Sequence, residues 1–237
     1  SVFKTEREIR LMARRTFQHF GKYLVDFFRF TSVSDDHLKR LFKFENMEHF
    51  EQAKAMNKGV ILVTAHFGNW ELGGAVLTAM GNKISAVVLA NNIGKTNDLF
   101  QAQRRRRGME VLPLGQAARR SMKALRNNEM VAMLCDRDFT SHNVLIDFFG
   151  QPARMPAGPA RIALKTMSPI VPGFLIRMED DTFLFKFYPP VIPEPGMEAE
   201  EIRAKIRDVM QLEIAQNPSQ WFVFEDFWKP APVSETA

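Results

Sequence analysis

The sequence predicts one α/β domain in which a mixed central sheet of about six or seven strands is covered by helices. The chain has 237 residues, a length that a single hydrophobic core can serve. Hydrophobic residues make up 46% of the chain and charged residues 25%, which is typical of a folded domain and excludes a largely disordered one. After residue 58, short apolar runs alternate with helical patterns, as in a sheet covered by helices.

The first 58 residues are predicted to form a helical N-terminal segment. Across residues 5–29 apolar side chains recur at spacings near three and four, with arginine and lysine between them, which predicts a long amphipathic helix. Ser34 and the two acids after it are typical of a helix start, and this second helix is expected to run towards Phe44. A third helix is predicted over residues 47–57.

Residues 59–230 are predicted to form the α/β core and a C-terminal helix, within a single domain spanning 1–237. The predicted strands cover residues 60–65, 84–90, 109–114, 130–135, 170–176 and 183–188. The predicted helices cover residues 72–80, 96–107, 117–127, 159–166 and 198–216. The tail at residues 221–228 is strongly aromatic, and we expect it to pack back on the body.

Composition narrows the class of protein. The single cysteine, Cys135, allows no intrachain disulfide and points to a reducing compartment. A net charge of +5 favours an anionic partner. No stretch reaches the roughly 18 apolar residues of a membrane span, and the start of the chain lacks a signal-peptide pattern. The basic, Phe-rich amphipathic start is compatible with a membrane surface.

The sharpest feature is a histidine at the end of the first core strand. Ligands of open α/β sheets bind outside the carboxyl ends of the strands, so His66 is expected to face the site. A histidine can take a proton from a hydroxyl at neutral pH, and a carboxylate on its other ring nitrogen fixes the tautomer. Glu71 is the candidate carboxylate, brought back by a turn at Gly68, and Asn69 is a candidate helix cap. The alternative is a half-buried histidine followed by an ordinary first-turn acid.

Around this histidine the sequence resembles the lipid A biosynthesis acyltransferase family, including the phosphatidylinositol mannoside acyltransferases, within the His-x4-Asp/Glu glycerolipid acyltransferases. The resemblance covers nearly the whole chain. It rests on four blocks, which are His66-Phe67-Gly68-Asn69-Trp70-Glu71, Asp136-Arg137-Asp138 with Asp147-Phe148-Phe149-Gly150, Arg154-Met155-Pro156-Ala157-Gly158-Pro159-Ala160, and the tail from Pro218-Ser219-Gln220-Trp221 to Trp228-Lys229. One departure is Asn91-Asn92, where the family often has Arg-Pro.

The resemblance implies direct transfer of a fatty acyl group from an acyl carrier protein or coenzyme A thioester to a hydroxyl of an anionic membrane glycolipid, such as a lipid A precursor. His66 and Glu71 are implied as the catalytic dyad. No cofactor besides the thioester co-substrate is expected. The implied location is the cytoplasmic face of the bacterial inner membrane, peripherally or through an N-terminal anchor absent from this chain.

Further residues are candidates for substrate binding. Backbone donors at Gly68 and Asn69, or a nearby arginine, would stabilise the oxyanion of the transition state. Arg104 is a candidate phosphate contact, although arginine runs are often solvated. Three neighbouring charges after a predicted strand are expected to organise the site or to buttress it: Asp136, Arg137 and Asp138. Arg154, near a predicted helix start, is a further candidate anion contact. No residues have metal-ligand spacing, so no metal is expected.

Two other functions remain open from the sequence. A non-catalytic protein of the membrane surface would use the basic charge and the aromatic tail. A thioesterase or other hydrolase would use the same histidine to activate water. Nucleic acid binding is not expected, because no recognition motif for it is present.

Overall fold

In the computed structural model, residues 5–29, 32–88, 94–137 and 143–228 are described. The helices are α1 (Glu6–Arg29), α2 (Asp35–Arg40), α3 (Met47–Ala55), α4 (Trp70–Ala79), α5 (Gly94–Arg106), α6 (Leu114–Arg126), α7 (Gly158–Thr166) and α8 (Ala199–Gln216). The strands are β1 (Phe42–Glu45), β2 (Val60–Thr64), β3 (Ile84–Val88), β4 (Glu110–Pro113), β5 (Met130–Leu134), β6 (Asn143–Phe148), β7 (Gln151–Pro156), β8 (Ile170–Arg177) and β9 (Phe183–Phe187).

Seven strands form the central sheet, in the order β1-β9-β8-β2-β5-β3-β4. Strands β8, β2, β5, β3 and β4 are parallel, whereas β9 runs antiparallel to β8 and carries β1 parallel to itself. Strands β6 and β7 form a separate antiparallel hairpin. The predicted mixed α/β fold is therefore confirmed.

Both faces of the sheet are buried because successive side chains of its strands point to opposite sides. In β2, Val60 and Leu62 pack into the cluster under α1 to α5, whereas Ile61 and Val63 pack into the cluster under α6 to α8. Such two-sided burial explains why β2 is apolar over four consecutive residues. Among the described helices, none combines the length and the apolar character needed to cross a membrane.

The N-terminal segment differs from the prediction of helices alone. The helix expected to run towards Phe44 ends at Arg40, and strand β1 follows it. Phe42 and Phe44 alternate with charged residues, which is the pattern of a strand. Over only four residues this pattern is a weak signal. Their rings stack on Phe183 and Phe185 of β9, at centroid distances of 5.3 and 6.1 Å. The β6–β7 hairpin was also not predicted.

Strand order determines what meets at the carboxyl edge of the sheet. Strands β2 and β5 are neighbours, paired in register through Thr64 and Leu134. Parallel strands in register bring residues at equal offsets close together. Two residues beyond this last pair lie His66 and Asp136.

Candidate active site

The imidazole of His66 is held by the carboxylate of Asp136. Their Nδ1 and Oδ1 atoms are 2.8 Å apart. Asp136 is completely buried, whereas the side chain of His66 is 17% exposed. The indole Nε1 of Trp221 donates to the second oxygen of Asp136, Oδ2, at 2.9 Å. A buried carboxylate therefore lies between an indole and a partly exposed imidazole.

Electrostatics keep this carboxylate ionised. Burial alone would raise the pKa of Asp136, but the charge of His66 and the hydrogen bonds from His66 and Trp221 outweigh burial and lower it. An ionised carboxylate only accepts hydrogen bonds, so Nδ1 of His66 carries the proton. The other ring nitrogen, Nε2, has no hydrogen-bond partner within the described ranges. This nitrogen is the one available to accept a proton.

A glycine turn places His66 at the sheet edge. Gly68 has a φ of +57°, and a Cβ at this position would lie 1.8 Å from the carbonyl oxygen of Leu175. Only glycine fits this close approach. Asn69 then caps α4, because its side-chain oxygen accepts from the N–H of Leu72 at 3.2 Å. Its amide nitrogen donates to Asp26 of α1 at 3.0 Å.

The carboxylate predicted to hold His66 has a different partner. Glu71 is buried and paired with Arg104, whose Nε lies 3.1 and 3.0 Å from the two carboxylate oxygens. The Nη2 atom of Arg104 makes a further contact with the same carboxylate. Burial alone would lower the pKa of Arg104. The charge of Glu71 and the hydrogen bond to it outweigh burial, so the pKa of Arg104 lies above its ordinary value. The turn at Gly68 thus directs Glu71 towards α5 and not towards the imidazole.

The expected oxyanion donors at the turn are already used within the fold. The N–H of Gly68 donates to the carbonyl of Gln220 at 2.8 Å, and the N–H of Asn69 donates to the carbonyl of Leu175 at 3.3 Å. The prediction that these two backbone groups point at substrate is therefore not supported. Arg104, the expected phosphate contact, is likewise committed to Glu71.

The remaining predicted residues are Arg137, Arg154 and Asp138. Arg137 binds the C-terminal tail, with Nη1 3.1 Å from Glu225 and Nη2 3.4 Å from the carbonyl of Phe222. Arg154 lies on β7, opposite Leu145 of β6. Asp138 lies outside the described residues. Of the predicted set, the structure brings His66 together with Asp136, and Glu71 together with Arg104.

The aromatic tail packs on the body of the protein, as predicted, and it contacts the strand end that carries His66. The N–H of Phe222 donates to the carbonyl of His66 at 2.8 Å, and Trp221 pairs with Phe67 as an antiparallel bridge. On the other side, the ring of Trp70 meets His66 edge-on at 5.3 Å and stacks on Tyr23 at 4.5 Å. Sequence reasoning missed Trp221 as a site residue, although the aromatic block at 221–228 marked it.

Cys135 immediately precedes Asp136 and is not placed to act as a nucleophile. It is buried, and burial with the nearby charge of Asp136 raises the pKa of its thiol well above the ordinary value. A protonated thiol is a poor nucleophile. Among the described residues, no three side chains of the His, Cys, Asp and Glu types are grouped as a metal site.

Fold and site together describe an α/β protein with a histidine and a buried carboxylate paired at the end of a parallel strand. The chain belongs to the bacterial lipid A biosynthesis acyltransferase family, whose model matches residues 3–230. It is therefore an O-acyltransferase, as the sequence predicted.

The similar proteins are named for two kinds of acyl transfer. The chain is 29% identical to a phosphatidylinositol mannoside acyltransferase of Mycobacterium tuberculosis strain H37Rv, over 89% of this chain and 68% of the relative. It is 26% identical to that of Mycolicibacterium smegmatis, over 92% and 72%. It is 21% identical to the lipid A biosynthesis palmitoleoyltransferase of Escherichia coli K12, over 95% and 74%.

A solved structure also resembles the chain. The crystal structure of the 1-acyl-sn-glycerophosphate acyltransferase of Thermotoga maritima superposes with a TM-score of 0.47 at 15% identity, covering 89% of this chain and 98% of that one.

Proposed function

We propose that the protein transfers a fatty acyl group from a carrier-protein or coenzyme A thioester to a hydroxyl of an anionic membrane glycolipid, with His66 as general base and Asp136 as its partner. One observation carries the proposal. The Nδ1 of a partly exposed His66 is held at 2.8 Å by a fully buried carboxylate, and Nε2 has no hydrogen-bond partner among the described residues.

The chemistry needs one base and no covalent intermediate on the protein. Nε2 of His66 accepts the proton of the glycolipid hydroxyl as its oxygen attacks the thioester carbonyl carbon. The C–O bond forms and, as the tetrahedral intermediate collapses, the C–S bond breaks. The leaving thiolate takes the proton back from His66. Asp136 stabilises the imidazolium that forms in between, as a buried carboxylate does in hydrolase triads.

The buried pair of Glu71 and Arg104 has a positioning role in this proposal. Glu71 belongs to the first turn of α4, directly after Trp70, whose ring contacts His66 edge-on. Arg104 anchors that turn to α5 through both carboxylate oxygens. The pair thus fixes the helix that carries Trp70, one wall of the site, without touching the reacting atoms.

A membrane acceptor is favoured by the surface of α1. This helix exposes large apolar side chains on a strongly basic background: Ile9, Leu11, Phe17, Val25 and Phe28. Phe17 stacks on the exposed Phe224, with ring centroids 5.1 Å apart. Phe224 lies two residues after Phe222, whose N–H donates to the carbonyl of His66. Apolar and basic groups on one helix suit an anionic lipid surface. We place the protein peripherally on the cytoplasmic face of the bacterial inner membrane.

The test is acyl transfer by purified protein in glycolipid-containing vesicles, followed by mass spectrometry of the product lipid. His66→Ala should lower the rate at least about a hundredfold, since general-base catalysis contributes on that order. His49→Ala, on α3 and away from the site, is the matched control and should retain activity. Equal acylation by His66→Ala and the wild type would refute the proposal.

Two other outcomes separate the alternative functions. Free fatty acid released at the same rate with and without glycolipid would identify a thioesterase. Binding to the vesicles without any consumption of thioester would identify a non-catalytic membrane protein.

A further inference from the structure

A carboxylate of α1 reaches the turn that carries His66. Asp26 accepts a hydrogen bond from the side-chain nitrogen of Asn69, Nδ2, at 3.0 Å. The same carboxylate oxygen, Oδ2, also contacts the guanidinium of Arg177 at the end of β8. Asn69 follows His66 by only three positions. A helix that lies outside the sheet is thus joined by hydrogen bonds to the histidine turn.

The contact with Asp26 determines which way the amide of Asn69 points. A carboxylate paired with a guanidinium only accepts hydrogen bonds, so the amide nitrogen must face it. The amide oxygen then points the other way, where it accepts from the N–H of Leu72 at 3.2 Å and caps α4. The first residue of α4 is Trp70, whose ring contacts His66 edge-on. Asp26 therefore acts on one wall of the site through the helix cap.

Arg177 extends the link to the preceding residue of the turn. Its backbone N–H donates to the side chain of Gln220 at 2.8 Å, and its carbonyl accepts from the same side chain at 2.9 Å. The carbonyl of Gln220 in turn accepts from the N–H of Gly68 at 2.8 Å. Asp26 is therefore connected to the turn twice, directly through Asn69 and indirectly through Arg177.

Apolar packing already holds α1 on the body of the protein. Tyr23 stacks on Trp70 and Phe27 stacks on Phe100, at centroid distances of 4.5 and 4.2 Å. The side chain of Asp26 is only 26% exposed, so placing a charge there has a desolvation cost. A largely buried ion pair is weak evidence for stability, because this cost offsets the attraction between the charges. What the carboxylate adds to the ring contacts is a directional bond to the turn.

A second carboxylate on the same arginine provides an internal comparison. Asp181 lies between β8 and β9, contacts Nη1 of Arg177 at 3.2 Å and accepts from Lys22 of α1 at 2.6 Å. Among the hydrogen bonds of the described residues, none joins Asp181 to Asn69. Asp26 and Asp181 therefore share the arginine and the contact with α1, and they differ in the bond to the histidine turn.

We propose that Asp26 is a positioning residue, which through Asn69 holds the turn of His66 and the wall of Trp70 in the geometry that acyl transfer needs. This inference rests on the proposed function and assigns a role in it to a residue outside the site. Asp26 does not contact the imidazole, so it acts on the rate of the bound complex through the turn. Misplacement of a catalytic group by about 1 Å can cost about 10²-fold in rate. The helix that offers apolar groups to a lipid surface thereby also fixes the catalytic turn.

The test compares Asp26→Ala with Asp181→Ala, which removes the other carboxylate from the same arginine. In glycolipid-containing vesicles, kcat of Asp26→Ala should fall about tenfold to a hundredfold, with KM for the thioester within about twofold of the wild type. Asp181→Ala should keep kcat within about twofold, because an exposed ion pair contributes little. Thermal melts set an assay temperature at which both variants are folded. Equal losses of kcat in the two variants would overturn the inference.

The conservative variant separates geometry from charge. In Asp26→Asn the amide oxygen can take the place of Oδ2 and accept from both Asn69 and Arg177. We expect its kcat to lie within about threefold of the wild type, since the hydrogen bonds are kept. If Asp26→Asn is as slow as Asp26→Ala, the charge beside Arg177 controls the rate and the bond to Asn69 does not, and the inference is wrong.

A double-mutant cycle tests the route through the cap. Asp26→Ala should cause little further loss of kcat in the Asn69→Ala background, because the link that it breaks is already absent there. A full additional loss in that background would contradict a role exerted through Asn69.

Hydrogen exchange tests the link without catalysis. The backbone amides of residues 68–72 should exchange about tenfold faster in Asp26→Ala than in the wild type, and at the wild-type rate in Asp181→Ala. Mass spectrometry of the peptides that cover this turn measures the exchange. If the exchange differs in this way but the wild type acylates no glycolipid, the proposed function is wrong and the positioning link stands. If the wild type is active and Asp26→Ala changes neither exchange nor kcat, the link is wrong and the function stands.

Discussion

Two buried carboxylates lie next to the histidine motif, and they differ in what they hold. Asp136 follows β5, is completely buried and accepts from His66 and Trp221. Glu71 belongs to α4, is 4% exposed and binds the guanidinium of Arg104. The first contacts the imidazole directly, whereas the second contacts the arginine that ties α4 to α5.

The difference shows that distance along the chain is a poor guide to which carboxylate a histidine contacts. Glu71 is five residues from His66 and Asp136 is 70 residues away. Adjacent parallel strands paired in register nonetheless bring the distant acid to the ring. The glycine turn, in contrast, starts a helix whose first-turn acid faces another helix.

The largest effect is expected from Asp136→Asn. An amide in place of the carboxylate can donate to Nδ1 and select the wrong tautomer, and it removes the charge that stabilises the imidazolium. We expect a loss of kcat of about 10²- to 10⁴-fold. Initial transfer rates at saturating thioester measure this loss, with circular dichroism as the check on folding.

A double-mutant comparison sharpens the assignment. If Asp136 acts through His66, Asp136→Asn should cost little further activity in the His66→Ala background. Equal losses in both backgrounds would mean that the two residues act independently, and the pairing proposed as catalytic would be wrong.

A smaller loss of activity, with a larger loss of stability, is expected from Glu71→Gln. Removing one partner of a buried ion pair leaves an uncompensated charge, which costs about 3–5 kcal/mol. Replacing both partners in Glu71→Leu/Arg104→Met should recover most of this stability. Urea unfolding measures the free energies. Glu213 is a buried glutamate that accepts from Tyr188 and Asn217 and pairs with Lys186, so Glu213→Gln shows what the loss of a buried carboxylate costs at a place that does not hold His66 or α4.

Activity per folded molecule then shows whether Glu71 takes part in the chemistry. The Leu/Met double variant should retain measurable transfer, because the ring of His66 keeps its partner. If that variant is folded yet as inactive as Asp136→Asn, Glu71 takes part in the chemistry despite its position.

The sequence predicts the sheet and the position of His66 at the end of a strand, because both leave local signals. Apolar runs at β2, β5 and β8 mark buried parallel strands, and His66 follows the first of them. The partner of His66 depends on which strands are neighbours, and periodicity contains no information on strand order. Strand β1 was missed because four residues of alternating pattern are too short to outweigh the helix start at Ser34.

The smallest effect is expected from Trp221→Phe, which removes one hydrogen bond to Asp136. The indole helps to lower the pKa of this carboxyl, so its loss should raise that pKa. A carboxyl with a lowered pKa stabilises the folded state above its unfolded pKa of about 3.9 and loses this contribution as pH falls through the folded pKa. In Trp221→Phe the loss of stability on acidification should therefore begin at higher pH, and activity should fall about three- to tenfold.

The matched control is Trp228→Phe, which removes the hydrogen bond from the indole of Trp228 to the carbonyl of Phe148. Thermal melts between about pH 3 and pH 7 measure the shift, and identical acid limbs for the two variants would show that Trp221 does not stabilise the charge of Asp136.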